Sequence, residues 1–241
     1  MLVNYTASLQ RTLKWEGGYS NNPHDPGGAT MHGVTKRVYD AFRHRNGLPT
    51  RDVREISPLE IQAIYQPEYW DAAGCSHLPP GVDLVTFDAA VNSGVRRAQS
   101  WLHASFGQDV VTTVKRFSAK RLGFLHSLRT WRTFGKGWAP RVAEMEAAGI
   151  RLASGSQAPV VLTKASQEAK KKAQVHSGVA TASGGSAALP VTPGVHLPWE
   201  AWAALGFVGA VILGISIYFY LVHTIRAQAL EQAAKEPINV H

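Results

Sequence analysis

Among the 241 residues of this sequence, Glu16 is the one whose type and position most directly suggest chemistry. Leu9 and Leu13 precede it by seven and three residues. On a helix it therefore continues the apolar stripe begun by Leu2 and Tyr5 instead of leaving it. A carboxyl on the core side of a helix is unusual. Desolvation there disfavours the charged form, and so does the negative end of the helix dipole. The expectation is an acid able to protonate a departing sugar oxygen, as a glycosidase requires. The plainer reading is a helix-ending glutamate that bends to water or pairs with an arginine. Asp25 lies nine residues on. It suits the second carboxylate of a glycosidase, which positions water or stabilises positive charge on the sugar. The alternative for Asp25 is a turn-forming aspartate before Pro26. Thr30 follows with a hydroxyl placed to orient a water. His24 and His32 share this loop without a recognised metal-ligand spacing, so neither a metal nor a cofactor is expected.

The elements that must position these residues read as helices. Gly17-Gly18 stops the first one, and the glycines and prolines between 19 and 35 predict a loop or small β-hairpin. Ser57-Pro58-Leu59-Glu60 is a capping box with proline in the first turn. It opens a helix toward Tyr69-Trp70 that bends or ends near Pro67. Leu84, Phe87, Val91, Ala98 and Leu102 mark more helix, interrupted near Gly94. Val110, Val114, Phe117, Phe124, Leu128 and Trp131 mark another. Trp138, Val142 and Met145 mark a last short one ended by Gly149. The fold expected is mainly α and lysozyme-like.

The run from Glu16 through Asp25 and Thr30 to Thr35 resembles the signature of glycoside hydrolase family 108, the bacterial and phage N-acetylmuramidases. Ile64-Tyr65 with Tyr69-Trp70-Asp71, and Phe87-Asp88-Ala89-Ala90-Val91-Asn92-Ser93-Gly94, resemble later blocks of that family. Arg121 through Gly137-Trp138 to Arg141-Val142 is similar to its usual companion, a peptidoglycan-binding domain. Met31 stands where the family usually shows a polar residue, and the 107–113 segment is shorter than usual. Thr30 sits one residue nearer the aspartate than in the phage lysozymes. The resemblance implies a muramidase of residues 1–94 with Glu16 as catalytic acid and Asp25 as its partner, followed by a wall-binding helical domain of residues 95–152. The substrate would be peptidoglycan, cleaved between N-acetylmuramic acid and N-acetylglucosamine. Tyr19, Asn22, Thr30, Trp70, Asp88 and Asn92 are the candidate substrate contacts. Arg121 interrupts an apolar stripe and reads as an internal ion-pair partner.

The alternative reading is a membrane-anchored wall-binding protein without catalysis. A zinc amidase or peptidase is the third, for which convincing ligands are lacking. The single cysteine, Cys75, excludes an intrachain disulfide and reads as a core or loop thiol. The net charge of +8 favours polyanions such as wall, anionic lipid or DNA. No nucleic-acid motif accompanies it, so no nucleic-acid partner is expected. Residues 153–198, rich in Ala, Ser, Gly, Thr and Pro, read as a flexible linker. Ala201 to Val222 carries no charge over 22 residues. At about 1.5 Å per residue it reaches about 33 Å, enough for a bilayer core. The expectation is a single transmembrane helix over 199–224 with a polar tail over 225–241. It would anchor the protein in a bacterial inner membrane, alongside a holin-type lysis partner. The enzyme domain would be periplasmic or would wait in the cytoplasm until lysis.

Overall fold

The computed structural model describes residues 2–21, 28–184 and 199–236. Helix α1 (Leu2–Glu16) buries Tyr5, Ser8, Leu9 and Thr12 on one face, the face predicted from its periodicity. Gly17 follows at φ +75°, a left-handed conformation suited to stopping a helix. Three two-residue strands come next: β1 (Tyr19–Ser20), β2 (Thr30–Met31) and β3 (Val34–Thr35). They form an antiparallel sheet in the order β1-β2-β3, with Tyr19 opposite Met31 and Thr30 opposite Thr35. His32 and Gly33 join β2 to β3, both at positive φ, as the tightest hairpins require.

Helix α2 (Lys36–Arg45) is capped by Thr35, whose side chain accepts from the Val38 amide. Helix α3 (Pro58–Tyr65) starts in the predicted Ser57/Glu60 capping box. Glu60 also ties α2 to α3. Tyr39 donates to its carboxylate at 3.0 Å, and Arg43 and Arg51 pair with it. Burial opposes its charge, but hydrogen bonds from Ser57 and Tyr39 and the Arg51 cation prevail, holding its carboxyl at about 2. At Pro67 the chain does not stop. It continues as a π-helical turn over Gln66–Asp71, a wider coil that tolerates the missing proline amide.

Helix α4 (Val82–Ser93) is the centre of the molecule, buried on every side from Val82 to Ala90. A break at Gly94 separates it from α5 (Val95–His103), as the sequence indicated. Tyr5, Trp70 and Phe87 interlock with ring centroids 5.4 to 5.8 Å apart, joining α1, the π-turn and α4. Such pairs contribute about 0.5–1.5 kcal/mol each beyond burial. Cys75 lies buried in the same core. Helices α6 (Val110–Ser127) and α7 (Trp131–Ser154) pack on α4. The helix expected to end at Gly149 runs on to Ser154. Gly149 lies against the Gly81 carbonyl, Val114 and Val85, where its lack of a side chain allows close packing.

The flexible linker expected over 153–198 is corrected for most of its length. Residues 158–184 form helix α8 (Ala158–Gly184), which buries Ala158, Leu162, Ala165, Ala169 and Ala173 at helical spacing. Alanine has the highest helix propensity, and a stripe of it lets another helix approach closely. That partner is α9 (Trp199–Lys235). The two run antiparallel: Ser166 donates to the Ala227 carbonyl, and His176 lies over Phe219. The polar tail is corrected too. Residues 225–235 continue α9, bury Ala227, Leu230 and Ala233, and pair Arg226 with the buried Glu146 of α7. Arg151 donates to the carbonyls of Ala233 and Glu236 at the end of α9.

Candidate active site

Glu16 stands at the last turn of α1, where the apolar stripe meets the β-hairpin. Its side chain is 19% exposed, so it lies at the surface of the core with one edge open. The arginine partner offered by the plainer reading is present. Arg141 of α7 donates from Nη2 to Glu16 Oε1 at 2.7 Å. The other carboxylate oxygen faces the β2–β3 turn: a Cβ on Gly33 would stand 3.3 Å from Glu16 Oε2 and collide with the Tyr65 hydroxyl. That hydroxyl donates to the His32 carbonyl at 2.7 Å and clamps the turn onto α3. The His32 ring donates from Nδ1 to the Gly17 carbonyl at 2.9 Å, closing the turn onto the end of α1.

Behind Glu16 lies a buried ionic network. Arg141 donates from Nη2 and Nε to Asp88 Oδ1 at 2.8 and 3.1 Å. Arg121 of α6 donates from Nη1 to Asp88 Oδ2 at 2.6 Å and from Nη2 to Asn92 at 3.0 Å. Burial opposes the Asp88 charge, but Arg121 and Arg141 outweigh it and hold the carboxyl below the usual range. Burial alone would weaken the Arg141 cation, and Asp88 and Glu16 restore it. Two acids and two guanidiniums thus balance, and the network fixes the Arg141 fork that holds Glu16. Arg121 Nε is buried with no hydrogen-bond partner among the described residues.

The expected substrate contacts divide. Tyr19 is exposed, with the Arg54 guanidinium 5.3 Å from its ring centroid, and is accessible to a ligand. Thr30 is half-buried on β2, its hydroxyl turned to the Gly28 carbonyl. Asp25 and Asn22 fall outside the described residues. Trp70 is corrected: it is buried between Tyr5 and Phe87 and its indole donates to Ser76, so it is a core residue. Asp88 is corrected as well, because a fully buried carboxylate engaged by two arginines cannot meet a sugar. It is a positioning residue. Asn92, half-buried, accepts from Arg121 and Ser93. Arg121 is the internal ion-pair partner that its place in an apolar stripe suggested.

Sequence reasoning missed Arg141, Tyr65 and Tyr69 as site residues. Arg141 falls on the face of Trp138, Val142 and Met145, the same signal that singled out Arg121. Tyr69 is half-buried, its ring 5.2 Å from that of Tyr65. Burial first, then the nearby Glu16 charge, push both phenols above their ordinary range. Both therefore stay protonated, with the Tyr65 hydroxyl donating to the His32 carbonyl. One prediction follows from the turn. Gly33→Ala forces the left-handed turn and the Tyr65 clamp apart, and turnover should fall by about tenfold or more, since misplacement by about 1 Å is that costly. Wild-type turnover in this variant would show that the turn does not position Glu16.

Residues 9–94 match the family model Glycosyl hydrolase 108. The solved structure of Brucella abortus SagA is similar over 65% of this chain and 99% of that one, at 27% identity and a TM-score of 0.54. No curated protein matches the chain. The resemblance drawn from the Glu16 motif therefore extends over residues 9–94, the segment that the glycosyl hydrolase model matches. Arg121 and Arg141 lie beyond the matched segment, yet their side chains complete its site.

Proposed function

We propose that this protein is a peptidoglycan hydrolase, an N-acetylmuramidase that cleaves between N-acetylmuramic acid and N-acetylglucosamine. The observation that carries the reading is Glu16 itself, held by Arg141 on one oxygen while the other faces the Gly33 turn within a glycosyl hydrolase segment. In this reading Glu16 first takes up a proton from solvent through its open edge, then gives it to the glycosidic oxygen as the bond to the anomeric carbon breaks. A water oxygen then bonds to that carbon and its proton leaves to a base. Asp25 is the proposed second carboxylate, on sequence grounds. Tyr19, on the exposed side of the hairpin, is a proposed sugar contact. The setting proposed is the bacterial envelope, in wall lysis with a holin-type partner.

The test is analysis of purified wall digested by the full-length protein. New reducing ends on N-acetylmuramic acid are the expected product. Reducing N-acetylglucosamine ends would assign a glycosidase of the other bond. Free peptides would assign an amidase or peptidase, and no product would leave a wall-binding protein.

A further inference from the structure

Helix α9 contains a stretch, Ala210–Lys235, long and apolar enough to cross a membrane. Its two halves differ. From Tyr218 onward it packs on the folded domain, through Tyr218 stacked on His126 of α6, the Arg226–Glu146 ion pair and the buried Leu230. Before Tyr218 it is apolar and exposed, at Phe207, Val208, Val211, Ile212, Ile215 and Ile217. A single pass through a bilayer would put the catalytic domain and residues 226–236 on opposite faces, and so would tear Arg226 from Glu146.

Helix α8 resolves the conflict. Its last formal charge is Lys172, and the next in the chain is Glu200; after that none occurs until Arg226. One formal charge therefore interrupts the whole of 173–225. The antiparallel pairing sets these limits level with each other: Ala173 and Val222 are both buried at one height, and His176 stacks on Phe219 and His223. Below that height lie Lys170, Lys171 and Lys172 on α8 and Arg226 and Glu231 on α9, with Lys170 paired to Glu231. Above it Val175 and Val179 on α8 are exposed and apolar like the α9 residues beside them. Charge thus ends at one plane across both helices. The exposed Lys171 and Lys172 at that plane suit anionic headgroups. The uncharged part of α9 before Tyr218, residues 201–217, measures about 25 Å against a hydrocarbon core of about 30 Å.

We propose that the uncharged half of the α8–α9 hairpin enters a lipid bilayer as one unit, with the catalytic domain and the C-terminal end of α9 on the same face. The hairpin holds the enzyme against the headgroup surface and leaves the Arg226–Glu146 pair intact. Membrane attachment is independent of the bond that the enzyme cleaves.

The experiment places one epitope at each end of the full-length protein in bacterial cells and adds protease to spheroplasts and to inverted membrane vesicles. Both epitopes should be lost in the same preparation and kept in the other. Loss of one epitope in each preparation assigns a single pass and overturns the proposal. Recovery of the protein without membranes, as monomer or as soluble oligomer, overturns it as well. A double variant, Ile212→Glu with Ile215→Glu, should reduce the membrane-bound fraction by about tenfold or more. Its thermal unfolding and its action on purified wall should match the unsubstituted protein. Undiminished membrane binding by a folded double variant would overturn the assigned lipid face. Failure of wall digestion in both proteins would bear on the muramidase reading alone.

Discussion

Glu16→Gln should digest purified wall at least about 100-fold more slowly than the unsubstituted protein, the usual cost of losing a general acid. The amide keeps the shape of the side chain, and its oxygen can accept the same Arg141 hydrogen bond that Oε1 accepts. Stability should therefore change by no more than about 1–2 kcal/mol, the difference between a charge-assisted and a neutral hydrogen bond. The two readouts together separate chemistry from folding. A slow enzyme with an intact melting transition assigns the proton to Glu16. Digestion at the original rate would mean that another group supplies it. Binding to wall sediment should persist, because the variant leaves the exposed Tyr19, the proposed sugar contact, unchanged.

Much of the first half of this site was legible in the sequence, because its signals are local. The Glu16 position follows from helical spacing within α1, and the capping box that starts α3 lies within four residues. Arg141 was not legible in the same way. It meets Glu16 across 125 positions of chain, and no periodicity reports such a contact. Its presence on an apolar helix face was a usable signal, and Arg121 shows what it means: a charge in a buried stripe requires an opposite charge. Trp70 was misread because an aromatic ring suits a sugar face and a core equally. The wider π-helical turn after Pro67 decides between Trp70 and its neighbour, sending Trp70 inward to Tyr5 and Phe87 and leaving Tyr69 half-exposed near Tyr65.

The C-terminal third was misread for a different reason. Composition suggested that residues 153–198 lacked the apolar bulk to offset ordering. That argument counts side-chain size, whereas α8 and α9 associate through small side chains. Ala165, Ala169 and Ala173 are each nearly inaccessible, although none is large. The apolar half of α9 was legible from its charge-free run. Its docking was not, because Arg226 resembles a membrane-flanking cation until Glu146 is found beneath it.

Asp88→Asn should strongly destabilise the fold. The carboxylate is fully buried and is shared by two guanidiniums. Its removal leaves Arg121 without a counter-charge and leaves Arg141 with Glu16 only. Breaking a buried pair on one side costs about 3–5 kcal/mol. For a chain of this size that lowers the melting temperature by roughly 10 °C. The pH dependence carries its own sign. The Asp88 carboxyl is held below its ordinary range, so its contribution is complete above about pH 4. It is lost as pH falls through the lowered folded value. The gap between the two proteins should therefore be full at neutral pH and narrow below about pH 4. A second substitution tests the cause. Arg121→Met placed beside Asp88→Asn removes the stranded cation and leaves a neutral Glu16–Arg141 pair. The double variant should then be more stable than Asp88→Asn alone, against the additivity that independent sites show. Unfolding curves for the four proteins, measured at neutral pH and near pH 3, give both results. An Asp88→Asn protein that melts with the original at neutral pH would mean that the two arginines find their compensation elsewhere. Additive losses in the double variant would remove Asp88 from its place as the charge that Arg121 and Arg141 share.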